Sequence, residues 1–113
     1  MKKFLLIIII LIVCGCTNNN YNEEDNLDKI IKEGNYIIVD VRSIHEYKDN
    51  HIENAINIPH DRIDENIDLD KDKVILVYCR SGNRSKLAYD ELKKLGYDVY
   101  DLGAMENVDL PKN

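Results

Sequence analysis

Val74-Ile75-Leu76-Val77-Tyr78 runs for five residues without a polar interruption. A stretch that short and that apolar suits a strand buried on both faces. A strand with one wet face would alternate. Tyr36-Ile37-Ile38-Val39-Asp40-Val41 reads as a second buried strand from its β-branched content. Ala55-Ile56-Asn57-Ile58, closed by Pro59, and Val99 to Leu102 give shorter ones. Helical patterns lie between them. Leu27, Ile30 and Ile31 have helical spacing, with Gly34 at the stop. Ser43, three residues ahead of Glu46, predicts a capping box that opens a short helix. Asp61 to Asn66 suits a helical turn. Ser85 to Leu95 spaces Leu87, Ala88, Leu92 and Leu95 helically before Gly96. Strands alternating with helices predict an α/β domain, a small parallel sheet of about five strands with helices on both faces.

The first residues stand apart. Lys2 and Lys3 precede ten uninterrupted apolar residues, Phe4 to Val13, and Cys14-Gly15-Cys16 ends the run. Crossing a bilayer takes about 20 apolar residues, so residues 1–15 read as an export signal rather than a membrane helix. Val13-Cys14-Gly15-Cys16 resembles the lipobox of bacterial lipoproteins. That resemblance implies cleavage before Cys16, lipid on Cys16, and a protein held at the cell membrane facing the extracytoplasmic side. The polar residues 16–26 read as a flexible tether, and residues 27–113 as the domain. Cleavage leaves 98 residues (113 less 15), with 13 basic against 21 acidic, a formal charge of −8. Such a chain lacks the basic face that nucleic acid requires. Its membrane attachment would rest on lipid rather than on charge. A single small domain, expected to be a monomer, fits this length.

Cysteine usage isolates one thiol. Of three cysteines, the lipobox resemblance implies that Cys14 leaves with the signal and that Cys16 carries lipid, which would leave Cys79 without a partner for an internal disulfide. It follows the most apolar strand directly, where open α/β sheets bind their ligands. Cys79-Arg80-Ser81-Gly82-Asn83-Arg84-Ser85 then runs into a helical pattern. Gly82 permits a turn with positive φ, and successive amides in such a turn form a nest for an anion. Arg80 and Arg84 add permanent charge and forked donors. Amides, a helix start and two cations around one sulfur favour the thiolate, and equally an oxyanion arriving beside it.

This loop resembles the active-site loop of single-domain rhodaneses, which are sulfurtransferases. Ile38-Val39-Asp40-Val41-Arg42, then Glu46-Tyr47, His51-Ile52 and Ala55-Ile56-Asn57-Ile58-Pro59, are similar to that family's upstream signature. Gly103-Ala104-Met105 is similar to its closing segment. The resemblance spans Leu27 to Val108 and implies a mechanism. The Cys79 thiolate takes the outer sulfur of a small anionic donor such as thiosulfate and becomes a persulfide. A thiol or cyanide acceptor then removes that sulfur. Arg80 and Arg84 would help hold the donor, and Asp40 and Arg42 would form a structural ion pair near the loop. No metal or organic cofactor is required. The chain departs from the family pattern at Asn50 and Asn54, where glycines are usual. Asn tolerates left-handed backbone better than most residues. A tryptophan common near Val108 is absent.

Two other readings compete. A membrane-tethered persulfide carrier or sensor would use Cys79 without turning over small donors. A cysteine-based phosphatase or arsenate reductase would also set a thiolate and an arginine in an anion-binding loop. The tyrosine-phosphatase pattern has five residues between cysteine and arginine, however, whereas four separate Cys79 from Arg84. His51 and His60 read as surface or hydrogen-bonded residues. Tyr36, Tyr78, Tyr89, Tyr97 and Tyr100 read as packing residues with wet hydroxyls.

Overall fold

In the computed structural model, which describes residues 23–113, the apolar run forms β3 (Val74–Cys79) at the heart of a parallel sheet. The other strands are β1 (Tyr36–Asp40), β2 (Ile56–Asn57) and β4 (Asp98–Ala104), in the order β2-β1-β3-β4. Three helices accompany them, α1 (Glu23–Glu33), α2 (Ile44–Asp49) and α3 (Asn83–Lys94). Single 3₁₀ turns follow β2 at His60–Arg62 and β4 at Met105–Asn107.

The described residues hold four strands rather than about five. Between the first 3₁₀ turn and β3 the chain has no apolar run to pair. Asp64 and Asp70 instead close local turns, each accepting from the amide two residues on. α1 begins at Glu23, four residues ahead of the boundary expected at Leu27. α3 begins at Asn83, two residues ahead of Ser85. The export signal, Cys14 and Cys16 lie outside the described residues.

Side-chain alternation on β1 and β3 builds two cores from one sheet. Odd-numbered positions, Val39, Val41, Ile75, Val77 and Cys79, join Val99 and pack against Ala88 and Leu92 of α3. Even-numbered positions, Ile38, Leu76 and Tyr78, join Ile52, Met105 and Val108, with Leu27, Ile30 and Ile31 of α1 and Tyr47 of α2 over them. Helices therefore cover both faces. Val108 is itself buried in the second core.

Local signals set the element ends. Ser43 caps α2 in a full capping box, its hydroxyl accepting from the Glu46 amide while Glu46 accepts from the Ser43 amide. Asn54 adopts a left-handed conformation with φ +70°, while Asn50 is extended with φ −162°. Only one of the two asparagines thus takes over a glycine's backbone freedom. β4 carries a bulge opposite Val77 and Tyr78, where Asp101 accepts from the Gly103 amide. The bulge brings Ala104 into register with Cys79.

Candidate active site

Cys79 ends β3, and its sulfur is turned back into the loop that follows. The Gly82 amide donates to Sγ at 2.9 Å and the Ser85 amide at 3.3 Å. Gly82 makes this possible with φ +99°, a conformation that costs a side-chain-bearing residue about 1–2 kcal/mol. The Ser85 hydroxyl donates to the Gly82 carbonyl at 3.0 Å and ties the loop to the first turn of α3. Burial pushes the thiol up. The Ser85 side chain and the amides of Ser85, Gly82 and Ser81 outweigh it, and the net displacement is downward, toward thiolate. Cys79 is 0% exposed. The loop therefore covers the sulfur.

Arg84 is placed differently from the expectation. It does not point a free charge at an incoming anion. Its guanidinium grips the Glu46 carboxylate with two bonds, Nη1 to Oε1 at 2.7 Å and Nη2 to Oε2 at 3.0 Å. The pair links the start of α3 to α2, and the Arg84 bonds are the main reason that the Glu46 carboxyl falls to about 2. The Arg84 charge still favours the Cys79 thiolate at longer range. Glu46 is legible in the sequence as a capping residue and as part of the upstream signature, not as the partner of Arg84. Its second role depends on a contact 38 residues along the chain.

Asp40 and Arg42 form a buried ion pair on the other face of the sheet. Arg42 Nη2 donates to Asp40 Oδ2 at 2.7 Å, Nε to both carboxylate oxygens at 3.0 Å, and the Arg42 amide to Oδ1 at 2.8 Å. Strand register sets Tyr78 directly beside Asp40, and its hydroxyl donates to Asp40 Oδ2 at 2.8 Å. The same hydroxyl accepts from the Ile52 amide at 3.0 Å. Tyr78 is fully buried, so its hydroxyl is dry rather than wet. Burial then pushes the Tyr78 phenol far above its ordinary range. His51 hydrogen-bonds the Tyr47 carbonyl through Nδ1 at 2.8 Å and stacks on the Tyr47 ring.

A cleft of about 460 Å³ opens at the carboxyl edge of the sheet. Arg42, Arg80 and Met105 line it, each one or two residues past the end of β1, β3 or β4. Glu46, Asp49, Asn50, Glu106 and Lys112 complete the wall. Arg80 is exposed and reaches this cleft, whereas Arg84 and Cys79 are not among its lining residues. Ser81 and Asn83 lie exposed on the rim of the loop. Of the wall residues, Asp49, Glu106 and Lys112 carry no signal in the sequence that would single them out.

Known proteins resemble this chain in sequence and in fold. The family model described as Rhodanese-like domain matches residues 23–108. The thiosulfate sulfurtransferase PspE of Escherichia coli is 35% identical over 78 residues, which cover 66% of this chain and 75% of that protein. The adenylyltransferase and sulfurtransferase uba4 of Ogataea parapolymorpha is 34% identical over 90 residues, 75% of this chain but only 23% of that protein. Among solved structures, a rhodanese with anions from E. coli matches with a TM-score of 0.61 at 32% identity, covering 69% of this chain and 96% of that one.

Proposed function

The chain belongs to the rhodanese-like domain family, and from that membership we propose that it is a sulfurtransferase working through a persulfide on Cys79. One observation carries the reading. The Cys79 sulfur accepts two loop amides, and its thiol is displaced toward thiolate despite full burial. A thiolate so held attacks the outer sulfur of a sulfane donor. With thiosulfate, the bond between the two donor sulfurs breaks, sulfite leaves with the electron pair, and Cys79 becomes a persulfide. An acceptor thiolate or cyanide then attacks the outer sulfur of that persulfide, and Cys79 leaves as thiolate. The sulfur moves without any outside oxidant. The same amides that hold the thiolate would hold the persulfide anion. PspE is named a thiosulfate sulfurtransferase, which supports a small anionic donor here.

Incubation with thiosulfate followed by intact-mass measurement tests the proposal. Wild type should gain about 32 Da, one sulfur atom, and Cys79→Ser should not. Sulfur uptake by the variant would overturn the mechanism. The full burial of Cys79 favours one second reading, a persulfide carrier whose loop opens only to a protein partner. Slow loading by small donors, accelerated by a partner, would mark it. A phosphatase or arsenate reductase loses support because Arg84, its oxyanion-binding arginine, is held by Glu46. We further propose that the domain acts as a monomer at the extracytoplasmic face of the membrane, anchored by lipid on Cys16. Cys16→Ala should release it into the soluble fraction, and retention in the membrane fraction would point to an uncleaved anchor.

A further inference from the structure

β4 is the longest strand of the sheet and its last, with β3 on one side and no strand on the other among the described residues. Alternate residues of such an edge strand turn their N–H and C=O groups away from the one neighbour. The opposite edge offers far less backbone, because β2 is two residues long. A trough runs along the outer side of β4. One part, of about 720 Å³, is lined by Lys29 and Ile30 of α1, Tyr89 and Lys93 of α3, and residues 98–101. α1 and α3 lie on opposite faces of the sheet, so a cavity that touches both passes around its edge. The second part, of about 580 Å³, is lined by Leu27 and Ile31 of α1, residues 100–102, and residues 108–110. Tyr100 and Asp101 line both parts and join them into one trough.

The trough combines apolar surface with unbalanced charge. Leu27, Ile30, Ile31, Leu102 and Leu110 are half-buried along it. Five carboxylates line it, Asp28, Glu33, Asp98, Asp101 and Asp109, against two lysines, Lys29 and Lys93. None of the five has an ion-pair partner among the described residues, and Asp28, Asp98 and Asp109 are exposed. Charged side chains on an edge strand guard it against unwanted pairing. Here they guard it against another acidic strand. A second copy of this chain is itself acidic, with a formal charge of −6, and antiparallel pairing of two β4 strands about their midpoint would set Asp101 against Asp101. The same carboxylates attract a basic segment. We propose that the β4 edge is a docking site for an extended segment of another protein, rich in lysine or arginine and in β-branched apolar residues. The segment adds a strand beyond β4 through its backbone. Its apolar side chains enter the trough, and its cations meet Asp28, Asp98 and Asp109. Neither Cys79 nor Arg80 lines the trough, and the inference does not depend on the sulfur chemistry.

Fluorescence anisotropy of the full-length protein with a labelled, end-capped peptide of alternating lysine and valine tests the charge match. Binding should saturate with a Kd below about 1 mM and be equal in Cys79→Ser. A peptide of alternating glutamate and valine should not bind. The triple variant D28N/D98N/D109N should weaken binding at least fivefold. D61N/E65Q/D68N, which removes three exposed carboxylates elsewhere, should weaken it less than twofold. Equal weakening by the two triple variants would reduce the attraction to net charge and overturn the site. Amide-resolved hydrogen exchange then tests strand addition. At saturation the peptide should slow exchange at outward-facing β4 amides at least tenfold, and β1 amides should not change. A bound peptide that leaves β4 exchange as it was would overturn strand addition, and absence of binding at about 1 mM would overturn the proposal. Protein dimers that the peptide displaces would give the edge to a second copy and overturn the assigned partner.

Discussion

Asp40→Asn is the sharpest perturbation of the buried ion pair beneath the site. Asp40 is 0% exposed and Arg42 5%. The Asp40 carboxylate accepts from the Arg42 amide, the Arg42 guanidinium and the Tyr78 hydroxyl. An amide in its place removes the negative charge, leaves the guanidinium uncompensated, and sets an N–H₂ group against donors. Breaking a buried pair from one side costs about 3–5 kcal/mol. A domain of 60–100 residues loses about 4–8 °C per kcal/mol, so the melting temperature should fall by roughly 12–40 °C. Tyr78→Phe is the graded companion. It removes one charged hydrogen bond and leaves the Ile52 amide without its acceptor, a loss of roughly 1.5–3 kcal/mol. Urea melts at 10–15 °C, followed by circular dichroism, would measure both with the domain still folded in the absence of denaturant, the slope against denaturant staying as in wild type. A loss under about 1 kcal/mol for Asp40→Asn would refute the argument from burial. A variant that folds like wild type yet takes up no sulfur would show that Asp40 acts on the chemistry itself.

Glu46→Gln should destabilise by up to about 1 kcal/mol at neutral pH, since its bridge to Arg84 is partly exposed and screened. The Glu46 carboxyl is depressed to about 2 from an ordinary value of 4.5, so this stability is present above pH 4.5 and is lost as pH falls toward 2. The difference between wild type and variant in acid melts should close across that window, and a gap that persists at pH 2 would assign the effect to something other than charge. The Cys79 thiol should ionise below the free-cysteine value of about 8.5, read from thiolate absorbance in the ultraviolet, and Ser85→Ala, which keeps the amide and removes only the hydroxyl, should raise the midpoint; no movement would mean that the hydroxyl does not contribute to holding the thiolate. Gly82→Ala should cost about 1–2 kcal/mol in a thermal melt and slow persulfide formation, because the strained turn also aims the amide that lies 2.9 Å from the sulfur. A melting temperature and a loading rate both equal to wild type would mean that the loop does not need its left-handed turn.

Much of the fold was legible because its signals are local. The capping box at Ser43, the β-branched runs of β1 and β3, and Gly96 after α3 each act over a few residues. The position of Cys79 at a strand end is equally local. The strand count was not, because a segment becomes a strand only if a neighbour accepts it, and the acidic stretch before β3 turns on itself instead. The partners of Arg84 and Tyr78 were not legible either. Both depend on contacts 38 residues away, Glu46 for one and Asp40 for the other. An arginine in a loop beside a thiol reads as an anion binder until the fold shows which carboxylate reaches it first.

Tyr78 and Cys79 explain how the loop keeps its shape. They are consecutive on β3, so their side chains leave on opposite faces of the sheet. Tyr78 is pinned on one side by Asp40 and the Ile52 amide. Cys79 is held on the other by the Gly82 and Ser85 amides, with α3 behind it. The carboxyl end of β3 is therefore fixed from both faces at the residue where the loop begins. Arg84 then ties the far end of the loop to α2 through Glu46. Between the clamps, the exposed side chains of Arg80, Ser81 and Asn83 form the outer surface of the loop. Loosening either clamp should cost stability and sulfur uptake together. Substitutions at exposed Ser81 or Asn83, between the clamps, should alter the rate of uptake with little effect on the melting temperature.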